Sequence, residues 1–241
     1  VRGQDLFESF QSTSWLEYLL FVVTGKRDER LAHIIGVLWM YTGGYPDSRV
    51  WNNRIATLAA TARSTGALGI SAGIAVSEAT LYGLKPIKGC SDFLVRLKRD
   101  LEKGNCLEDL LEEELRRYGV IYGYGRPIVS ADERISPTMK LAKKYGYGTG
   151  YYLKLVCEIE LVFKKKKRMQ MNQGGLYSAI MLDAGLSVTE IYYLTIFLFS
   201  AGMFAPFIEA HDKPSGAFFP LRVSKINYTG SQKMRTWRHL K

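Results

Sequence analysis

Little in this chain of 241 residues points to a disulfide framework or a metal centre. It has only three cysteines, Cys90, Cys106 and Cys157, an odd number, widely spaced and without a CxxC pair. That usage fits a reduced compartment, so a cytoplasmic protein is expected. The three histidines, His33, His211 and His239, stand far apart in sequence, and no shared metal site is expected from them. There is no internal repeat and no long linker. Without a secretory signal the Asn227-Tyr228-Thr229 sequon carries no weight. The chain begins at Val1 rather than at a methionine, from which a missing or processed start is expected. Strand-type alternation of apolar and polar residues is scarce.

Acidic residues are in deficit: 23 Asp and Glu stand against 33 Lys and Arg, a formal net charge of +10. This balance favours acidic partners, whether nucleic acid, anionic lipid, or phosphorylated and carboxylated small molecules. Hydrophobic residues make up 47% and charged residues 23%, a globular composition able to bury a sizeable core. The length suits one large domain or two unequal ones. A nucleic-acid partner is not expected, because the basic run Lys164 to Arg168 lacks interleaved aromatics and no recognition motif is present.

Long hydrophobic runs are also rare. One uncharged stretch, residues 191 to 208, lies between Glu190 and Glu209 and is near the lower length limit for a membrane span. Thr195, Ser200, Gly202 and Pro206 interrupt it, and it has no basic flank. A buried core helix is expected there, and no membrane association.

Most of the remaining pattern is helical. Residues 14 to 24 read as a short helix capped by Ser14 and ended by Gly25. Residues 28 to 41 follow, with Asp28 as cap and Leu31, Ile34, Ile35 and Leu38 on one face. GGYPDS, 43 to 48, is turn chemistry. The run 50 to 82 is rich in alanine, and its glycines at 66, 69 and 73 each lower helix propensity by roughly 1 kcal/mol. Close helix approach would offset that, either in one or two core helices or at a subunit interface. Residues 90 to 103 and 107 to 118 are amphipathic helices, the second with acids early and arginines late, as the helix dipole favours. Pro137 to Tyr145 suits another helix. LKLVCEIELVF, 153 to 163, fits helix or strand by pattern, and its low β-branched content favours helix. The chain is expected to be predominantly α-helical.

One loop stands out chemically. IYGYGRPIVSADERI, 121 to 135, places Arg126 on a glycine-hinged turn, followed by Asp132, Glu133 and Arg134. A cation on such a turn suits an anionic guest. The same residues also fit a surface loop with solvated charges.

Five segments in order resemble the citrate synthase superfamily, which includes citrate synthases, methylcitrate synthases and citryl-CoA lyases. LLFVVTGKR, 19 to 27, is similar to the helix-then-TG segment near the start of that family's core. ATARSTGALGISAGIAVSEATLYG, 60 to 83, resembles its small-residue helix leading to a histidine-glycine turn. YGYGRPIVSADERI, 122 to 135, resembles its glycine-rich loop ending in a histidine and a following D-P-R. RMQMNQGGLYSAI, 168 to 180, resembles its N-V-D-F-Y-S-G segment, and LRVSKINYTG, 221 to 230, its closing R-P-x-x-x-Y-T-G.

The resemblance implies an all-α fold with a large helical domain, a smaller inserted helical domain and an intertwined homodimer whose contacts include the small-residue run. On this chain it implies a large domain from 1 to 85 and 186 to 241 and a small domain from 86 to 185. It implies binding of a CoA thioester and a di- or tricarboxylate, with a citryl-CoA-type carbon–carbon bond formed or cleaved, and no permanently bound cofactor or metal. In the family an aspartate removes the proton alpha to the thioester, one histidine stabilises the enol and another polarises the ketone. Here the first histidine aligns with Tyr82, the second with Arg126, and the aspartate with Gly175, or with Gly174 after a one-residue shift.

Tyr82 can donate a hydrogen bond, but its reference pKa of ~10 makes it a poor proton shuttle. Arg126 stays charged and can only bind an anion. A glycine provides no base, and losing a positioned base typically removes ~10²–10⁴-fold in rate. The carboxylate clamp is better kept: Arg134 and Arg222 align with family arginines, Arg126 adds a cation, and Phe199 replaces a further one. CoA phosphates are expected near Lys166, Lys167, Arg168 and Asn172, although that basic run equally fits a solvated connector. Two functions follow from the resemblance. One is an enzyme with a base relocated to Asp132 or Glu133. The other is a non-catalytic carboxylate- and CoA-binding sensor or partner subunit.

Overall fold

A computed structural model of the protein describes residues 1–126, 131–166, 169–217, 227 and 229. The described residues form twelve helices and no sheet. In order these are α1 (Leu6–Ser9), α2 (Trp15–Thr24), α3 (Glu29–Gly43), α4 (Trp51–Thr61), α5 (Gly66–Val76) and α6 (Leu84–Glu102). They continue with α7 (Leu107–Tyr118), α8 (Ile135–Lys144), α9 (Tyr151–Lys165), α10 (Gln173–Asp183), α11 (Val188–Thr195) and α12 (Ala201–Asp212).

Six of the described helices start on a capping side chain. Ser14 and Asp28 accept backbone N–H bonds from Glu17 and Leu31, as their positions in the sequence predict. Helix α6 begins six residues before the expected position, with Pro86 in its first turn, where a missing backbone donor costs nothing. The segment with helix-or-strand ambiguity is helical, as α9.

Two buried clusters organise the packing. The larger draws on α2, α3 and α6 to α11, with Leu20, Ile34, Leu38, Leu94, Ile159, Phe163, Leu176 and Tyr177 almost wholly excluded from solvent. Helix α10 runs through it, packed on α3, α6, α8, α9 and α11, and nearly every α10 residue is buried. The smaller cluster joins α4, α5 and α12 through Ala56, Ala60, Ile70, Met203, Phe207 and Ala210. The alanine-rich run is two helices, and α5 buries only Gly69, Ile70 and Gly73 while Leu68 stays exposed.

The uncharged stretch 191 to 208 is not one buried helix. It breaks at 196–200, where Leu198 donates to the Thr195 carbonyl and the Ser200 hydroxyl to the Phe197 carbonyl. Helix α12 then leaves Phe204 and Ile208 exposed. Among the described residues no helix is long and apolar enough to cross a membrane. The break lets Gly202 press on the backbone of the 43–45 turn: an added Cβ would meet the Gly43 carbonyl oxygen and lie 3.0 Å from that of Tyr45.

Gly202→Ala is therefore expected to lower thermal stability by ~1–3 kcal/mol, because backbone atoms cannot yield as a side chain would. Gly66→Ala, whose Cβ would rest 3.7 Å from the Phe207 ring, is expected to be neutral or stabilising by up to ~1 kcal/mol. Thermal denaturation of both variants checks this.

Candidate functional site

The glycine-rich loop and the start of α10, far apart in sequence, lie side by side. The Gly125 N–H donates to the Gln170 carbonyl at 2.7 Å and the Asn172 N–H to the Gly123 carbonyl at 2.9 Å. Tyr124 and Met171 pair antiparallel between them. Asn172 caps α10 by accepting from the Gly174 and Gly175 N–H groups, and its amide donates to the Gly125 carbonyl at 2.8 Å. Its side chain thus holds loop and helix together.

This contact decides what position 175 can carry. A Cβ on Gly175 would fall 2.6 Å from the Gly123 carbonyl oxygen and 3.1 Å from its Cα. Gly123 has φ +92°, and a Cβ there would in turn lie 2.9 Å from the Gly175 Cα. Two bare backbones touch, so the position aligned with the family aspartate has no room for a carboxylate unless the loop moves away. Position 174 is less crowded, with Asn172 Oδ1 at 3.2 Å from a built Cβ.

Arg126 and Arg134 converge on the loop's own acids. The Asp132 side chain is fully buried and accepts from Arg134 Nε at 2.8 Å, Arg134 Nη2 at 2.7 Å and the Gln173 backbone N–H at 2.8 Å. Arg134 Nη1 donates to the Thr42 carbonyl at 2.9 Å, tying the loop to the end of α3. Arg126 Nη1 donates to Glu133 Oε2 at 2.6 Å and to the Ala131 carbonyl at 3.2 Å, and lies 3.7 Å from Asp132. The Tyr45 hydroxyl donates to the other Glu133 oxygen at 3.1 Å. The two cations and two anions balance one another.

The ionisations follow from these contacts. Burial pushes the Asp132 carboxyl up, but the Arg134 guanidinium and the N–H groups of Gln173 and Arg134 outweigh it, leaving the group below the usual carboxylate range. Glu133 is also held low, by its own backbone N–H and by Arg126. Hydrogen bonding to Glu133, then burial, raises the Tyr45 hydroxyl.

Tyr82 lies within reach of the Arg134 charge. Its hydroxyl donates to Asn52 Oδ1 at 3.1 Å, and its ring packs against Trp51 and Phe199 at 5.9 and 5.4 Å between centroids. Asn52 completes the link by donating to the Phe199 carbonyl at 3.2 Å. Burial raises the Tyr82 hydroxyl well above its ordinary value, against a smaller lowering by Arg134.

The structure therefore brings Tyr82, Arg126, Arg134, Gly175 and Phe199 into one region. Lys166 lies elsewhere, paired with Glu112 at 2.6 Å. Lys167, Arg168 and Arg222 fall outside the described residues. Sequence reasoning missed Tyr45, Asn52 and Gln173. The GGYPDS turn carries no mark of chemistry beyond the turn, and the amides act through contacts distant in sequence. Among the described residues no group of three or more His, Cys, Asp or Glu side chains could hold a metal. Chemically the arrangement supplies fixed hydrogen-bond donors and cations. Its carboxylates are ionised and already engaged.

Asp132→Asn is expected to cost ~3–5 kcal/mol at neutral pH, because it leaves Arg134 without its buried counter-charge. The folded Asp132 pKa lies below the unfolded value of ~3.9, so its stabilisation is complete above that pH and is lost as pH falls through the lower folded value. The gap between wild type and variant in denaturant titrations should narrow below about pH 4.

No protein-family model matches the chain, and no curated protein matches it by sequence. Solved structures do match. Citryl-CoA lyase from Hydrogenobacter thermophilus superposes with a TM-score of 0.81 at 17% identity, over 98% of this chain and 91% of that one. A variant of ATP citrate lyase from Methanosaeta concilii, in complex with (3S)-citryl-CoA, gives 0.76 at 18% identity, over 96% of this chain but only 39% of that one. Citrate synthase from Thermotoga maritima gives 0.70 at 16% identity, over 98% and 63%. The all-helical architecture anticipated from the five sequence segments is thus the fold this protein shares with citryl-CoA lyase and citrate synthase.

Proposed function

We propose that the protein binds a CoA thioester together with a di- or tricarboxylate on a citrate synthase-like scaffold, and holds them without the proton transfers of citrate synthase-type condensation. One observation carries this reading: Gly175, which the resemblance aligns with the family's base, has its backbone packed on Gly123 with no room for a side chain. The carboxylates nearest that place, Asp132 and Glu133, are held ionised by arginines, and a general base works best with a pKa near the operating pH. Arg126 supplies the carboxylate contact, while Tyr82 offers a hydrogen bond and no shuttle. Arg134 acts chiefly by fixing the loop. The resemblance assigns Arg222 to the same ligand and Lys166, Lys167 and Arg168 to the nucleotide phosphates. The citryl-CoA held by the Methanosaeta concilii protein supports a thioester bearing carboxylates as the ligand class.

A second reading, citryl-CoA cleavage or condensation by a displaced base, draws on the likeness to citryl-CoA lyase over nearly the whole of both chains. Its candidate base is Glu133, partly exposed beside Arg126. Calorimetric titration with CoA, acetyl-CoA, citrate and oxaloacetate tests the first reading, which predicts heat of binding for at least one of them and none of the characteristic turnover. Turnover of citryl-CoA, or of acetyl-CoA with oxaloacetate, that is lost in Glu133→Gln would establish the second instead.

The proposal includes a homodimer. Helices α5 and α12 pack together and present Leu68, Val76, Phe204 and Ile208 to solvent, an apolar face that a second copy would cover. Small residues on α5 allow close helix approach. Leu68→Arg combined with Ile208→Arg should convert a dimer to a monomer in sedimentation analysis. A wild-type protein that sediments as a monomer at micromolar concentration contradicts the pairing.

A further inference from the structure

The two loop arginines have partners of different kinds. Arg134 is bound bidentately by a carboxylate with no exposed surface, and that carboxylate also receives the Gln173 N–H. Releasing it would strand a buried charge on each side. The partner of Arg126 is Glu133, whose side chain is 53% exposed, and which is held at its two oxygens by two separate donors, Arg126 Nη1 and the Tyr45 hydroxyl. That is the contact an external carboxylate would make: one oxygen on a guanidinium, the other on a phenol. The Tyr45 backbone is itself fixed, its carbonyl accepting the Asn53 amide at 2.6 Å.

We propose that Glu133 is a resident substitute for the ligand carboxylate: it occupies the anion position between Arg126 and Tyr45 in the empty protein and swings into solvent when a carboxylate ligand takes its place. The inference rests on the carboxylate-binding reading above and adds Tyr45 as a ligand-binding residue. Exchange of one carboxylate for another leaves Arg126 and Tyr45 with an anionic acceptor in both states. The cost is competition, since every ligand must displace an anion tethered seven residues away. Asp132 and Arg134 do not take part and keep the loop in shape while the exchange occurs. The depressed Glu133 pKa and the raised Tyr45 pKa agree with a carboxylate accepting from both donors.

Citrate titrated calorimetrically into the wild type, Glu133→Gln, Glu133→Gln with Tyr45→Phe, and Glu133→Gln with Arg126→Gln tests the exchange. Glu133→Gln should bind citrate about two- to fivefold more tightly than the wild type, in line with the modest strength of a half-exposed ion pair. Either second substitution should remove the gain. Wild-type or weaker affinity in Glu133→Gln, with citrate still bound, overturns the exchange and leaves carboxylate binding standing. A gain that survives Arg126→Gln also overturns it, because the effect would then be long-range charge alone. No binding by the wild type or Glu133→Gln at millimolar citrate overturns both proposals.

Discussion

The site depends on one buried carboxylate. Asp132 has no exposed side-chain surface, yet it is kept ionised by Arg134 and by the first N–H of α10. Through Arg134 the same charge reaches the carbonyl of Thr42 at the end of α3. Three segments far apart in sequence are therefore fixed by a single ion pair and its hydrogen bonds. A pair of this kind adds little net stability over an apolar replacement, but breaking one half is costly, so it specifies one arrangement. Asn172 secures the other edge of the loop, and between these fixings Gly123 and Gly175 are held in backbone contact.

That geometry has a chemical consequence. A proton-transfer site needs groups that can change charge near neutral pH, in reach of a ligand. Here the loop presents an arginine that cannot lose its proton and carboxylates held ionised by their partners, and beside it burial keeps the Tyr82 hydroxyl protonated. Arg126 and the Tyr45 hydroxyl hold the Glu133 carboxylate between them, and on the proposed reading a ligand carboxylate takes that place. The basic charge of the chain, +10 overall, would favour approach of an anionic thioester.

Much of the fold was legible in the sequence because helix signals are local. Ser14, Asp28 and the charge order of residues 107 to 118 marked helix ends within the reach of a few residues. The break at 196–200 was less legible: it accompanies the approach of Gly202 to the 43–45 turn, a contact distant in sequence. At the candidate site the glycine-rich loop with Arg126 and Arg134 could be singled out from the sequence. The division of labour between Arg126 and Arg134 could not, because it depends on the burial of Asp132 against α10. Tyr45 was hidden for the same reason, lying in a turn whose composition accounts for its own presence.

The most direct measurement is a pair of crystal structures, ligand-free and with citrate bound. The account predicts that Asp132 keeps both contacts to Arg134 and its bond from Gln173 in each, while a citrate carboxylate lies on Arg126 beside Tyr45. A citrate complex in which Arg134 has left Asp132 to clasp the ligand, with the loop between Gly123 and Arg134 rebuilt around it, would contradict the claim that this ion pair is architecture rather than binding machinery.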